Sequence, residues 1–325
     1  MGREEKKTKT SKKWSHYTFA FYNVENLFDL VDDPDKADDD FTAKGFKKWS
    51  SKRLQKKISN LGAIIQQIGL NEVGFSPVLV GLAEVESASV LKQLISSEFL
   101  KDKEYDFVHF ESSDERGIDT ALLYRKKHFK ILEKKAYPMF FLNEKGDKDY
   151  TRDILYVKGL LENKEVYVLI NHWPSRRAGL LETEPKREAV SLKNQQIVVK
   201  IRQQDPAARI IVMGDFNDDP QNKSVQSLAT NDFYNPMELL LTKDKGSLKY
   251  KGKWNLFDQI LISQNFLQQY GNSFRFENVS IFNDRVIQVF DRPYEGRPFR
   301  TYAGPKYLGG TSDHFPVYAV FKIEK

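Results

Sequence analysis

The stretch IIVMGDFNDDP, residues 210–220, runs from four apolar side chains into four acid or amide side chains within five positions. Ile210 to Met213 read as a short strand buried on both faces. Gly214 is expected to let the backbone turn, and Pro220 stops any regular element. Asp215, Asn217, Asp218 and Asp219 crowd the strand's carboxyl end, where α/β sheets gather metals and phosphates. A polar turn is the plain alternative, because Asp, Asn and Pro favour turns. An EF-hand calcium loop is excluded: Pro220 stands where its Gly should be, and Gln226 where its Glu should be.

Working outward, Tyr17 to Val24 and Pro77 to Ala83 read as strands. Shorter ones are expected near Tyr105–Phe110, Asp119–Arg125, Asp153–Leu161, Glu165–Ile170, Asp258–Ile262 and Phe315–Ile323. Leu54, Ile58, Leu61, Ile65 and Ile68 recur at helical spacing over residues 50–69, and a second helix is expected over 185–204. The acidic run Asp32 to Asp40 reads as a solvated loop. Strands outnumber helices and the helices lie between them, which predicts a two-sheet core with helices outside.

With 325 residues, 40% hydrophobic and 13% aromatic, the chain can bury a large core. No linker-like stretch or compositional shift divides it, so one domain is expected over 17–325, after a basic, disordered tail at 1–16. Residues 1–13 hold six basic side chains against Glu4 and Glu5, a net +4, so only +2 of the total +6 remains for the rest. Any nucleic-acid contact must therefore be local. There is no cysteine, which excludes disulfides, thiolate metal sites and cysteine nucleophiles. No apolar run approaches the roughly 18 residues of a membrane span, so no stable membrane insertion is expected. As the chain stands a cytoplasmic location is expected, or an extracytoplasmic one if a leader has been removed.

Six strand boundaries end or begin in a side chain able to bind a cation or move a proton: Asn23, Glu84, His172, Asp215 with Asn217, Asp258, and Asp313 with His314. Only five histidines exist, and His16, His109 and His128 lack an adjacent acidic motif. No G-x-S-x-G elbow, HExxH helix or Walker loop occurs. Ser312, Asp313 and His314 cannot form a serine triad, because neighbouring side chains on an extended chain point apart. Carboxylates, amides and imidazoles without thiols suit a hard cation such as Mg²⁺.

FYNVENLF, GLAEVES, RGIDTALLYR, NHWPSRR, MGDFNDDP, WNLFDQILIS and TSDHFPV follow one another in the order seen in the endonuclease/exonuclease/phosphatase superfamily, which the chain resembles from about Tyr17 to Ile323. The resemblance implies an α/β fold of four layers, an α/β/β/α sandwich like deoxyribonuclease I, with two packed mixed β-sheets and helices outside. It also implies that Asn23 and Glu84 are divalent-metal ligands, with Asp313 a further ligand or outer-sphere partner. Asp215 would prepare the attacking water, Asn217 hold a phosphate oxygen, Asp258 polarise His314, and Arg152 contact the phosphate. His172 falls where deoxyribonuclease I has its second catalytic histidine, and Asp119 close to that enzyme's partner carboxylate, with Glu86 as a substitute. Asn171 beside it is expected to bind substrate. Arg176 and Arg177 would grip flanking phosphates, or be solvated loop arginines.

The expected activity is Mg²⁺-dependent phosphodiester hydrolysis, with Mn²⁺ as a substitute ion and DNA, cut endonucleolytically, as substrate. A phosphoesterase acting on lipid headgroups or small phosphoesters is the alternative. No protein partner is implied.

Overall fold

The structure, a computed structural model, describes residues 13–142, 145–177, 179–229 and 232–325. One six-stranded sheet runs in the order β13 (Phe274–Ile281), β16 (Val317–Glu324), β1 (Trp14–Leu27), β2 (Leu79–Val85), β4 (Asp119–Arg125), β3 (Tyr105–His109). The other runs β5 (Phe129–Leu142), β6 (Lys148–Leu161), β7 (Lys164–His172), β8 (Ile210–Asp215), β12 (Asp258–Ser263), β9 (Phe233–Tyr234). Both are mixed: the parallel pairs β1–β2 and β7–β8 sit among antiparallel neighbours. Two small hairpins, β10 (Leu248–Tyr250) with β11 (Lys253–Asn255) and β14 (Tyr302–Ala303) with β15 (Lys306–Tyr307), lie outside the sheets. The helices are α1 (Ser51–Ile65), α2 (Leu70–Val73), α3 (Ala88–Ile95), α4 (Leu180–Gln204) and α5 (Lys223–Ala229).

Strand alternation builds the layers. Val168 and Ile170 of β7 and Ile211 and Met213 of β8 face the first sheet. Tyr167, Leu169, Ile210 and Val212 face α4 and α5 instead. A Cβ at Gly81 would lie 2.8 Å from the Met213 sulfur, so the sheets meet closely there. On the far side α1 buries Leu54, Ile58, Leu61 and Ile65, each contributing about 1.5–3 kcal/mol.

Several expectations need correction. The basic tail up to residue 12 lies outside the described residues, but β1 begins at Trp14, paired with Glu324, inside the expected tail. α4 starts at Leu180, five residues before the Pro185 taken as its beginning, so Pro185 lies inside the helix, where it cannot donate the i→i−4 bond to the Leu181 carbonyl. β5 escaped notice because it is an edge strand, half exposed and rich in lysine, with Pro138 at a register shift between Tyr137 and Met139. Gly214 does not turn the chain. It lies inside β8, where a Cβ would come 2.3 Å from the Asn171 carbonyl oxygen.

Candidate active site

Three strand ends stand side by side in the second sheet: His172 of β7 is in register with Asp215 of β8, and Asp215 with Asp258 of β12. All three share the alternation phase of Ile170, Met213 and Ile260, so their side chains face the first sheet. Sheet one contributes Asn23, in register with Ala83 of β2. Past these points the chain leaves regular geometry: Glu25 (φ 48°), Asn26 (φ 55°), Glu84 (φ 66°) and Asn217 (φ 49°) are left-handed without being glycine. Such residues cost energy, and they gather at functional sites. The irregularity between Ala83 and Val85 turns Glu84 out of its strand phase.

Asp215 is 2% exposed. Its carboxylate accepts from the Asn23 Nδ2 at 3.0 Å and the Asn217 N–H at 2.9 Å, and lies 3.7 Å from His172 Nε2. Burial raises its pKa to about 6, and the Asp258 carboxylate adds to the rise. His314 Nδ1 lies 2.7 Å from Asp258 Oδ2, and its backbone N–H is held by Ser312 Oγ at 3.0 Å. Burial opposes a charge on His314, but the carboxylates of Asp258, Asp215 and Asp313 outweigh it and hold its pKa well above the usual histidine value. Ligand atoms of Asp215, Asp258 and His314 all lie within 4.8 Å of one another. Because Asp258 occupies Nδ1 and keeps the ring protonated, this trio reads better as a proton-handling unit than as a metal cage.

His172 differs. Its Nδ1 has no hydrogen-bond partner. Burial, then the charges of Arg152, Arg116, His314 and Arg177, hold its pKa well below the usual value. The expected partner Asp119 is elsewhere: its carboxylate takes the Ser112 N–H at 3.2 Å and faces His109 Nε2 at 3.7 Å. Glu86 is no substitute, since it accepts from the Asp29 N–H. The paired-histidine arrangement of deoxyribonuclease I is therefore not assembled in this structure.

Asp119 supplies a stability test. Its pKa rises from 3.8 to about 7, chiefly through burial. The folded state thus keeps a proton that the unfolded chain has released, and stability falls as pH climbs through that window. Asp119→Asn is expected to remove a penalty of about 2–4 kcal/mol at pH 8 and to do little at pH 4. Thermal unfolding at the two pH values measures this; equal shifts at both would refute it.

Other positions also move. Asn171 points the opposite way from His172, into α4, where its amide exchanges hydrogen bonds with Asn194 at 2.7 and 3.1 Å, so it is not available to substrate. Arg176 is turned inward: it holds the Asn217 carbonyl at 2.6 Å and Asp218 at 2.7 Å, and stacks 4.5 Å over Phe257. Arg177 is exposed. Arg152 bonds Asp114 at 3.2 Å and the Trp173 carbonyl at 2.9 Å, leaving Nε unpartnered. Asn217 Nδ2 also donates to that carbonyl, at 3.0 Å, which braces the two strand ends. Asp218 is taken by Arg187 at 2.7 Å and Asp219 by the Leu256 N–H at 2.7 Å. Of the four polar side chains after Met213, Asp215 faces the site directly, Asn217 lies beside it with one amide N–H bound to the Trp173 carbonyl, and Asp218 and Asp219 fasten the loop.

The residues fit a divalent cation in kind. Glu84 accepts the Asn26 N–H at 2.8 Å and lies 3.5 Å from Asn23 Nδ2. Asn23 directs its nitrogen at Glu84 and Asp215 while its oxygen accepts the Glu25 N–H at 3.0 Å. Glu84 and Asp313 offer oxygen donors, the chemistry hard cations prefer. The sequence reading missed Glu25, Arg116, Arg300 and Lys57. Arg116 donates to Asn26 Oδ1 at 2.6 Å. Lys57 was detectable, because it interrupts the apolar stripe of α1.

Residues 18–325 match the Endonuclease/Exonuclease/phosphatase family. The chain belongs to this family. Its members are metal-dependent phosphoesterases, and the chain is an enzyme of that kind with the deoxyribonuclease I-like sandwich. No curated protein matches it significantly. Among solved structures it resembles an endonuclease/exonuclease/phosphatase family protein of Bacteroides thetaiotaomicron (18% identity, TM-score 0.60, 97% of each chain covered). It also resembles D. rerio TDP2 complexed with single-strand DNA product (16%, TM-score 0.57, covering 94% of this chain and 99% of that one). A third is a mannosyl-6-phosphatase of B. thetaiotaomicron (18%, TM-score 0.55, covering 93% and 98%). No helix among the described residues is long and apolar enough to cross a membrane.

Proposed function

We propose that the enzyme is a Mg²⁺-dependent phosphodiesterase whose substrate is DNA, cut endonucleolytically. The observation that carries the phosphodiesterase reading is the buried Asp215 carboxylate, held between Asn23, the Asn217 N–H and two imidazoles. Asp215, with its pKa raised to about 6, is ionised at neutral pH and takes a proton from the attacking water. His314, kept protonated by Asp258, faces the phosphate as a cation and returns a proton to the leaving oxygen. His172 stays neutral and positions the phosphate by hydrogen bonding. Mg²⁺ (or Mn²⁺), held by Glu84 with Asp313 nearby, supplies neutralisation of charge developing on the phosphoryl oxygens.

DNA is supported by the exposed Arg177 beside the site and by the similarity to TDP2, whose structure holds a single-strand DNA product. Because Arg176 is committed to the protein, the salt dependence of DNA binding is expected to be shallow, equivalent to roughly 2–4 phosphates. Arg177→Ala is expected to weaken DNA cleavage and spare a small phosphodiester. Arg176→Ala loosens the loop and harms both substrates.

The second reading is a phosphoesterase for lipid headgroups or small phosphoesters. It is favoured by the inward Arg176 and by the similarity to a mannosyl-6-phosphatase. The deciding experiment incubates purified enzyme and Mg²⁺ with plasmid, single-stranded DNA, RNA, sphingomyelin, an inositol phosphate and a hexose 6-phosphate. Nicking of the plasmid supports the first reading. Turnover confined to a small or lipid phosphoester replaces it with the second.

A further inference from the structure

Residues 243–254 carry five lysines against Asp244, a net +4 that exceeds the +2 of the whole chain beyond residue 13. They include the β10–β11 hairpin, whose register pairs Lys249 with Trp254 and lays the Lys249 Nζ 5.2 Å over the Trp254 ring. That ring also stacks on Phe315, the residue after His314, with 6.0 Å between centroids. At the foot of the hairpin the Ser247 carbonyl accepts the Phe315 N–H at 2.7 Å, and the Ser247 hydroxyl accepts the Asp258 N–H at 3.3 Å. The hairpin is thus fastened to both segments that carry the Asp258–His314 pair.

Across from it stands an arm, residues 287–299, whose two limbs are tied by the Val289 N–H on the Arg297 carbonyl and the Phe299 N–H on the Ile287 carbonyl, both at 2.8 Å. The arm's tip leaves Phe290 57% and Tyr294 56% exposed. Arg285 lies 5.0 Å over the first ring and Arg297 4.9 Å over the second. Between hairpin and arm is a cleft of about 320 Å³, with Lys245, Lys249 and Trp254 on one side and Asn283, Gln288 and Glu295 on the other. Glu295 is offset by Arg285 and Arg292, each 3.9 Å away. Three rings that each carry a cation suit an unpaired nucleic-acid strand, whose base faces stack on rings while its phosphates meet the cations. A duplex hides its base faces, and a flat bilayer would touch the tip without entering the cleft.

We propose that the hairpin and the arm dock an unpaired strand of the DNA substrate beside His314, with Trp254, Phe290 and Tyr294 as stacking platforms and Lys249, Arg285 and Arg297 as phosphate partners. The inference rests on the reading of DNA as substrate given above, and narrows that substrate to DNA with a single-stranded stretch.

Fluorescence anisotropy of the full chain in EDTA, where no strand is cut, tests it with a labelled oligothymidylate, an abasic oligomer of the same length and a duplex. The oligothymidylate is expected to bind more tightly than the other two. Tyr294→Ala should weaken it roughly 5- to 100-fold, the scale of one lost base stack, Tyr294→Trp should restore it, and neither should alter abasic binding. The strand should quench tryptophan fluorescence, and Trp254→Phe should abolish the quench. Melting curves show that each variant is folded. Equal affinity for the abasic oligomer, or a quench that persists in Trp254→Phe, would overturn the proposal. So would a Tyr294→Ala variant that loses binding to phosphatidylserine vesicles but not to the oligonucleotide, which would give this face to a membrane. DNA cleavage by wild type with unaltered oligonucleotide affinity in Tyr294→Ala sinks this inference and leaves the DNA reading standing. An enzyme that binds no oligonucleotide and turns over only small phosphoesters sinks both.

Discussion

His314→Ala is expected to lower kcat by roughly 10²–10⁴-fold, the scale of a lost general acid or base, while the protein stays folded. The reason is the pair it forms with the fully buried Asp258 at 2.7 Å, which keeps the ring charged where a phosphate would arrive. The pH profile carries the sign. Activity should rise as Asp215 loses its proton near its pKa of about 6, and fall only well above the usual histidine range, as His314 loses its own. Asp258→Asn removes the main force holding that proton, so the alkaline limb should move to lower pH. An unmoved limb would show that another group sets it. His172→Ala should be much milder, because His172 is uncharged and its Nδ1 has no partner to orient it. A loss at His172 as severe as that at His314 would restore the two-histidine mechanism and require a rearranged Asp119.

Chelation with EDTA is expected to abolish turnover, and added Mg²⁺ or Mn²⁺ to restore it. Glu84→Gln removes the ligand's negative charge but keeps its size and one oxygen. It should cost several kcal/mol of transition-state stabilisation at limiting Mg²⁺, roughly 10²–10⁴-fold in rate, and recover in part at high metal. The Asn26 N–H that orients Glu84 can still be satisfied by the remaining oxygen, so the variant should melt close to wild type. Full turnover in excess chelator would refute the metal assignment. A Glu84→Gln enzyme unaffected at any Mg²⁺ concentration would transfer the ion to other carboxylates.

The comparison of Asn171 with His172 shows how far local sequence reaches. Both follow the apolar run of β7, and both are chemically fit for a site. Period-two alternation makes them exclusive, since one must face the neighbouring sheet and the other α4. Reading the phase from Val168 and Ile170 would have assigned them correctly, but only with the knowledge of which face meets the other sheet. Arg176 and Arg177 pose the same problem in a loop, where no period exists to apply. Arg176 is claimed by Asp218, forty-two residues away in sequence.

Residue order alone determined the two-sheet architecture and the set of strand ends where the chemistry lies, because apolar runs that stop abruptly in Asp, Asn, Glu or His can be read without a partner. It also determined the absence of thiol chemistry and the hard-ligand character of the site. Tertiary structure decided which of those ends meet. The register of β7, β8 and β12 aligns His172, Asp215 and Asp258, left-handed backbone at Glu25 and Glu84 redirects side chains that strand phase would have sent elsewhere, and burial with charges from distant segments shifts the pKa values of Asp215, His172 and His314. The physical reason is that burial and charge act through space. Asp258 and His314 are fifty-six residues apart along the chain and 2.7 Å apart in the fold, whereas Asp119, close to the expected motif position, turns its carboxylate to Ser112 and His109.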